Sequence, residues 1–194
     1  FQNELENFFS NKKPRFNPFF IPKLIADIAP GLISIKYGFK GPNFTTVSAC
    51  ASSSNAIIDA LNYIRLGYAD VIVAGGSEAA VTCAGIGGFN AMHALSTRND
   101  EPEKASRPFD KERDGFVLGE GGGCLILEDL NHAMKRNANI YCELAGYGSS
   151  CDANHITAPA PEGVGLQQCM RMALEDGDLK PEDVGYINAH GTST

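Results

Sequence analysis

The sequence predicts an α/β fold, on three observations. A short continuous apolar run at residues 70–74 (DVIVA) halts at Gly75-Gly76, the mark of a strand buried on both faces. Ile57, Leu61 and Ile64 fall at i, i+4 and i+7 just before it, with Ala56, Ala60 and Tyr63 alongside. That stripe describes a helix apolar over most of its circumference, and so a largely buried one. Near the other end, Leu166, Cys169, Met170, Ala173 and Leu174 give an amphipathic helix. Strands alternating with helices imply a mainly parallel sheet.

The remaining elements follow in order. Residues 1–20, rich in Asn, Phe and Pro, read as surface loop with a basic cluster at Lys12, Lys13 and Arg15. A helix opens at Pro22 and continues through Leu24, Ile25, Ile28 and Leu32, with Pro30-Gly31 breaking or kinking it. Residues 43–49 are strand-like and lead into small residues. A helix-like stretch at 89–95 precedes a charged irregular region at 96–114, in which Arg107, Asp110, Arg113 and Asp114 could form an ion-pair network. Residues 124–128 read as strand, 129–136 as helix, 140–147 as strand, 159–163 as loop and 184–188 as a last buried strand.

Composition excludes several classes of function. The 194 residues carry 16 Lys and Arg against 23 Asp and Glu, a net charge of −7, which is the wrong sign for a general nucleic-acid binder. No apolar run reaches the ~18 residues of a membrane span. The six cysteines show no CxxC and no paired spacing, so neither a disulfide scaffold nor a metal site is expected. A cytoplasmic protein is the expectation, with the cysteines other than Cys50 acting as small buried hydrophobes. The chain opens at Phe1 rather than Met and stops at Thr194 inside a loop-like run, which reads as an internal piece of a longer polypeptide. The glycine run 119–123 (GEGGG) lacks the Lys-Ser/Thr of a phosphate loop and reads as a tight turn or close backbone packing.

Two strings carry chemistry. Residues 48–54 (SACASSS) place Cys50 between a strand end and a helix start. Small neighbours permit a sharp turn, and a thiol at a helix N-terminus meets unsatisfied N–H groups that favour the thiolate and can hold an oxyanion. The alternative is a cysteine in an ordinary Ser-rich helix cap. Residues 188–194 (NAHGTST) put His190 at the end of a strand, where α/β proteins build their sites. His93 and His132 read as surface or packing residues, while His155 could line a cleft. Cys50 with His190 suggests thiol acyl chemistry.

SACASSS, DVIVAGGSEA, HALSTRNDEPEKASRPFDKERDGFVLGEG, DANHITAPAPEG and NAHGTST, in that order, resemble the β-ketoacyl-[acyl-carrier-protein] synthases, nearest to the synthase II type. The resemblance implies a thiolase-like layered αβαβα fold, here only a partial domain, working as a homodimer in fatty acid elongation. It implies division into residues 1–138, part of a first half bearing the nucleophile, and 139–194, the start of a second half. Cys50 matches the nucleophile, and His190 the first of two decarboxylation histidines. Thr192, Thr194 and Thr157 match residues along the pantetheine channel, and Phe89 and Phe20 match residues near the acyl pocket. A second histidine, a lysine and a glycine-rich segment are expected beyond residue 194. The partner implied is acyl carrier protein, whose acidic surface would meet Lys12, Lys13 and Arg15, with His93 standing near a position that is often basic. No metal or other cofactor is implied, the substrates being carried on the carrier's phosphopantetheine. The alternatives are a non-catalytic partner subunit of the same fold and a thiolase-like enzyme acting on coenzyme A esters.

Overall fold

A computed structural model describes residues 1–11 and 15–194. Two compact units divide them: Phe1–Leu127 together with Thr192–Thr194, and Glu128–Gly191.

The first unit opens with a helix, α1 (Gln2–Ser10), where composition suggests loop. Leu5, Phe8 and Phe9 stand at helical spacing, and Gln2 Nε2 donates to Glu6 Oε1 one turn on at 2.8 Å. Phe8 stacks on Phe16 and Phe16 on Phe20, with ring centroids 4.5 and 5.1 Å apart. The aromatics of this stretch therefore form a stack rather than decorate a loop. Two short helices follow, α2 (Phe20–Leu24) and α3 (Ile28–Tyr37). The break falls at Ile25, which is extended, and not at Pro30-Gly31. Pro30 is the third residue of α3, where its missing N–H has no intrahelical partner to lose. Residues 42–48 form no strand; side chains tie this segment down instead, Thr45 Oγ1 donating to Ala26 O and Asn43 Nδ2 to Pro30 O.

A 3₁₀ turn (Ala49–Ala51) leads into α4 (Ser52–Arg65), which packs against strand β1 (Val71–Glu78). Only Ala60 and Leu61 of α4 and Ala74 of β1 are buried, so neither element is as enclosed as its apolar pattern predicts. β1 does not stop at Gly75-Gly76 but runs through it. A Cβ on Gly75 would lie 2.1 Å from Gly123 O, and one on Gly76 would lie 2.0 Å from Ser53 Oγ. The glycines let β1 approach both the helix and its sheet partner β2 (Gly121–Glu128). The glycine run 121–123 is thus the start of a strand, and its expected close backbone packing is against β1. Between the strands lie α5 (Cys83–Ala91), which starts earlier than the predicted 89–95, and the irregular charged region. A parallel bridge pairs Leu95 with Phe116.

The second unit holds α6 (Leu130–Lys135), capped by Asp129 accepting from His132 N, and α7 (Val164–Asp176), both at the predicted places. Residues 140–147 and 184–188 are not strands, and Tyr186 is 82% exposed. An apolar run makes a strand only where a ladder partner exists, and among the described residues these runs have none. The same openness corrects the expectation for the thiols. Cys83, Cys124, Cys142 and Cys151 are exposed and Cys169 half-buried, its Sγ donating to Gly148 O at 3.1 Å. Among the described residues no helix is long and apolar enough to cross a membrane.

Candidate active site

Cys50 sits at the centre of the 3₁₀ turn, two residues before α4, with its thiol exposed. The turn is built by the residue before it. Ala49 has φ 51°, a left-handed conformation that costs a residue bearing a Cβ about 1–2 kcal/mol. Hydroxyls hold it there. Ser52 Oγ accepts from Ser48 N at 2.9 Å and donates to Ala49 O at 2.7 Å, closing a ring around the elbow. Asn55 Nδ2 donates to Ser48 Oγ at 2.6 Å, and Thr46 Oγ1 donates to Ser52 O at 2.8 Å. The small, hydroxyl-rich string thus does what its pattern suggests, presenting a thiol on a sharp turn at a helix entrance. The segment before the turn, however, is not a strand.

The first unit also contains Thr192 and Thr194. Their hydroxyls meet at 2.6 Å, so the two threonines act as one polar pair. Between them Ser193 is 3% exposed with φ 70°. Its Oγ accepts from Arg107 N at 3.0 Å, and its carbonyl accepts from Gly115 N at 3.0 Å. Arg113 Nε donates to Thr194 O at 2.8 Å. Nothing in the sequence pattern singles out Ser193; the signal is a hydrogen bond spanning 86 residues.

The charged region behind these contacts is a network, though only partly of ion pairs. Arg107 pairs with Asp114 at 2.9 Å and also donates to the carbonyls of Glu112, Lys104 and Ala105. Asp114 accepts from Ser96 Oγ at 2.6 Å and from Thr97 N and Oγ1. The Ser96 hydroxyl first, then the Thr97 amide, with Arg107 adding its charge, hold the carboxyl down at about 2. Arg113 donates to the Asp110 carbonyl rather than to its carboxylate, so among the described residues Asp110 does not join the ion pairs. Gly115 turns the chain at φ 141°, and a Cβ there would meet Leu95 C at 2.4 Å.

His190 belongs to the second unit, exposed, on an irregular segment rather than at a strand end. Thr157 belongs to it too. His155 Nδ1 accepts from Thr157 N at 3.2 Å and Ala158 N at 3.0 Å, so the ring folds the loop around itself. His132 pairs with Glu128, which Arg136 also grips with two nitrogens at 2.7 and 2.6 Å. Arg136 first and His132 second hold the Glu128 carboxyl at about 2. His93, with φ 54°, lies exposed just past α5.

Of the apolar candidates, Phe89 is half-buried and edge-on to Phe116 at 5.1 Å, while Phe20 stacks with Phe1 and Phe16. The two belong to separate aromatic groups. A cleft of about 440 Å³ between α1 and Ala84 is lined by neither. Arg15 is exposed; Lys12 and Lys13 lie outside the described residues. Among the described residues no cluster of His, Cys, Asp or Glu could hold a metal ion.

Solved structures define the fold class. All of the chain matches 49% of a chain in a complex of a type II polyketide synthase acyl-carrier protein with its ketosynthase, at a TM-score of 0.93 and 38% identity. A beta-ketoacyl synthase from Burkholderia phymatum STM815 is also matched over all of this chain and 47% of its own, with TM-score 0.90 and 35% identity. The fold is the thiolase-like fold of ketosynthases, of which this chain forms a part. The profiles of the "Beta-ketoacyl synthase, N-terminal domain" and its C-terminal counterpart match residues 2–133 and 141–194, and the chain belongs to the beta-ketoacyl synthase family. It is 56% identical over 180 residues to "3-oxoacyl-[acyl-carrier-protein] synthase 2" of Coxiella burnetii, covering 93% of this chain and 44% of that protein. Over 194 residues it is 50% identical to the chloroplastic "3-oxoacyl-[acyl-carrier-protein] synthase I" of Hordeum vulgare, 100% of this chain and 42% of that one. The chain spans less than half the length of these curated relatives.

Proposed function

We propose that the full-length protein carrying this chain condenses an acyl group held on Cys50 with malonyl-[acyl-carrier-protein] to give a β-ketoacyl-[acyl-carrier-protein], the elongation step of fatty acid synthesis. The observation that carries the reading is the Ala49–Cys50 elbow, an exposed thiol on a strained, hydroxyl-braced turn, in a chain of this family. Storing the acyl group covalently splits one difficult condensation into two steps. Cys50 Sγ bonds to the thioester carbonyl carbon, the pantetheine C–S bond breaks, and the pantetheine sulfur leaves with the thiol's proton. A malonyl thioester then loses carbon dioxide, and the electron pair of the broken C–C bond remains as an enolate. Its α-carbon bonds to the acyl carbonyl carbon while the bond from that carbon to Cys50 Sγ breaks, and the released thiolate takes a proton from water.

His190 is assigned to the enolate oxygen, as a neutral imidazole that donates without quenching the carbanion. Thr192 and Thr194, as one hydroxyl pair, and Thr157, on the loop shaped by His155, are assigned to the pantetheine arm. Phe89 and Phe20 are assigned to the acyl pocket. Arg15, with Lys12 and Lys13, is assigned to docking of the acidic acyl carrier protein, whose encounter opposite charge would speed. The chemistry asks for no metal or redox cofactor, and a cytoplasmic homodimer is the form proposed. The nucleophile is present, which favours an enzyme over a non-catalytic partner subunit.

The two half-reactions test the assignment. Cys50→Ala in the full-length protein is expected to abolish self-acylation while still allowing malonyl-carrier decarboxylation. His190→Ala is expected to keep acylation and to lose decarboxylation by about 100- to 1000-fold, the usual cost of one well-placed oxyanion donor. A His190→Ala protein that decarboxylates at the normal rate would show that the wrong histidine has been chosen.

A further inference from the structure

We propose that Ser193 and Arg113 are positioning residues that set the Thr192–Thr194 hydroxyl pair for the pantetheine arm, with the charged region 96–115 as the frame that holds them. The substrate named here rests on the acyl-transfer reading above. Three hydrogen bonds converge on two consecutive residues. The Arg107 amide donates to Ser193 Oγ, the Gly115 amide to the Ser193 carbonyl, and Arg113 Nε to the Thr194 carbonyl. All three donors come from one nine-residue stretch, 107–115, and all three acceptors lie between or on the paired threonines.

The frame is itself over-determined. Arg107 spreads its guanidinium over three carbonyls and the Asp114 carboxylate, which in turn gathers Ser96 and Thr97. Phe116 N donates to Ala94 O, and Ser96 N to Phe116 O, so the two ends of the 96–115 region are pinned to each other. Gly115 fits only because it lacks a Cβ. Against this frame, Ser193 is held at φ 70° although it is not glycine, and it is the one buried polar residue among those described. A left-handed serine between two threonines turns successive side chains so that Oγ1 of Thr192 meets Oγ1 of Thr194 at 2.6 Å. Strain of this kind persists only where the surroundings enforce it. Here the surroundings are the Arg107 and Gly115 amides. The Ser193 side chain is buried and its Oγ is taken by a backbone amide inside the protein, while Arg113 spends its Nε on the Thr194 carbonyl. Both act through the threonines.

The test uses Ser193→Ala, Ser193→Gly and Arg113→Met in the full-length protein. Glycine accepts φ 70° without penalty but lacks the hydroxyl, so it keeps the turn while removing the anchor. Two rates are measured for each: acylation of Cys50 by an acyl-carrier thioester, and alkylation of Cys50 by iodoacetamide, which needs no pantetheine contact. The expected result is a rise of roughly 3- to 10-fold in KM for the thioester in all three variants, the weight of one hydrogen bond, with iodoacetamide labelling unchanged. Thioester KM values equal to that of the unmodified protein would overturn the proposal. A parallel change in iodoacetamide labelling, in either direction, would also overturn it, since that marks a disturbance of the Cys50 elbow itself. Failure of the unmodified protein to acylate at all would overturn the acyl-transfer reading instead, and with it the substrate named here.

Discussion

Gly75 and Gly76 are neighbours in β1, yet alanine at the two positions should have different consequences. At Gly75 the new Cβ meets backbone, Gly123 O at 2.1 Å and Cys124 Cα at 2.7 Å. An ordinary C···O approach is about 3.3 Å, so β1 and β2 would have to separate by about 1.2 Å at that point. Against a strand spacing of about 4.8 Å, such a shift breaks one or two ladder hydrogen bonds. At about 1 kcal/mol each, with about 1–3 kcal/mol for overpacking, Gly75→Ala is expected to cost about 2–5 kcal/mol. At Gly76 the new Cβ meets the Ser53 hydroxyl at 2.0 Å and Ser53 Cβ at 3.1 Å. A rotation of Ser53 removes the first contact, and the lower unfolded-state entropy of alanine returns about 0.5–1 kcal/mol. Gly76→Ala is therefore expected to lie within about 1 kcal/mol of the parent, and Ser53→Ala in the same chain should recover most of any loss. Urea unfolding of the full-length protein, followed by circular dichroism, measures both as shifts of the midpoint. A Gly75→Ala protein that unfolds at the parent's midpoint would refute the argument. So would a Gly76→Ala protein that falls as far as Gly75→Ala and is not helped by Ser53→Ala.

Two further expectations follow from the same geometry. Cys50 should react first with a limiting alkylating reagent; its rival is Cys83, the exposed first residue of α5, where Thr82 already takes the Gly85 amide and weakens the field at that helix end. Peptide mapping that finds Cys83 or Cys169 labelled ahead of Cys50 would contradict this. The Asp114 and Glu128 carboxyls are both held at about 2, below ordinary values of 3.8 and 4.5. A depressed carboxylate contributes stability above its unfolded-state value and loses it as pH falls through the folded one, so acid should destabilise the protein between about pH 4.5 and 2. Asp114→Asn and Glu128→Gln should each flatten that slope in melting curves taken across the range, and unchanged slopes would count against the two networks.

The parts of the fold legible in the sequence are those whose determinants are local. The stripe of Ile57, Leu61 and Ile64, the DVIVA run and the Leu166–Leu174 periodicity each give an element at its observed place, because helix and strand periods are written in adjacent residues. Residues 43–49, 140–147 and 184–188 have equally apolar or β-branched patterns and form no strand, because a strand also needs a partner that no pattern specifies. Residues 2–10 mislead in the opposite sense: Asn and Phe suggest loop, while an i, i+4 hydrogen bond and an aromatic stack make a helix. In the candidate site, the Cys50 elbow was legible from its small residues and the threonines from their motif. The Ser193 anchor was not, since its partners Arg107 and Gly115 lie some 80 residues away and both contacts are made by backbone amides, which no side-chain pattern records.

The central claim is that Cys50 accepts the acyl group. Its most direct test is mass spectrometry of the full-length protein after mixing with an acyl-[acyl-carrier-protein] thioester, with the modified peptide sequenced. The account predicts one added acyl mass per chain, found on the peptide containing Cys50 and absent from Cys50→Ala. An acyl mass on another cysteine, or no added mass while the carrier remains loaded, would contradict it.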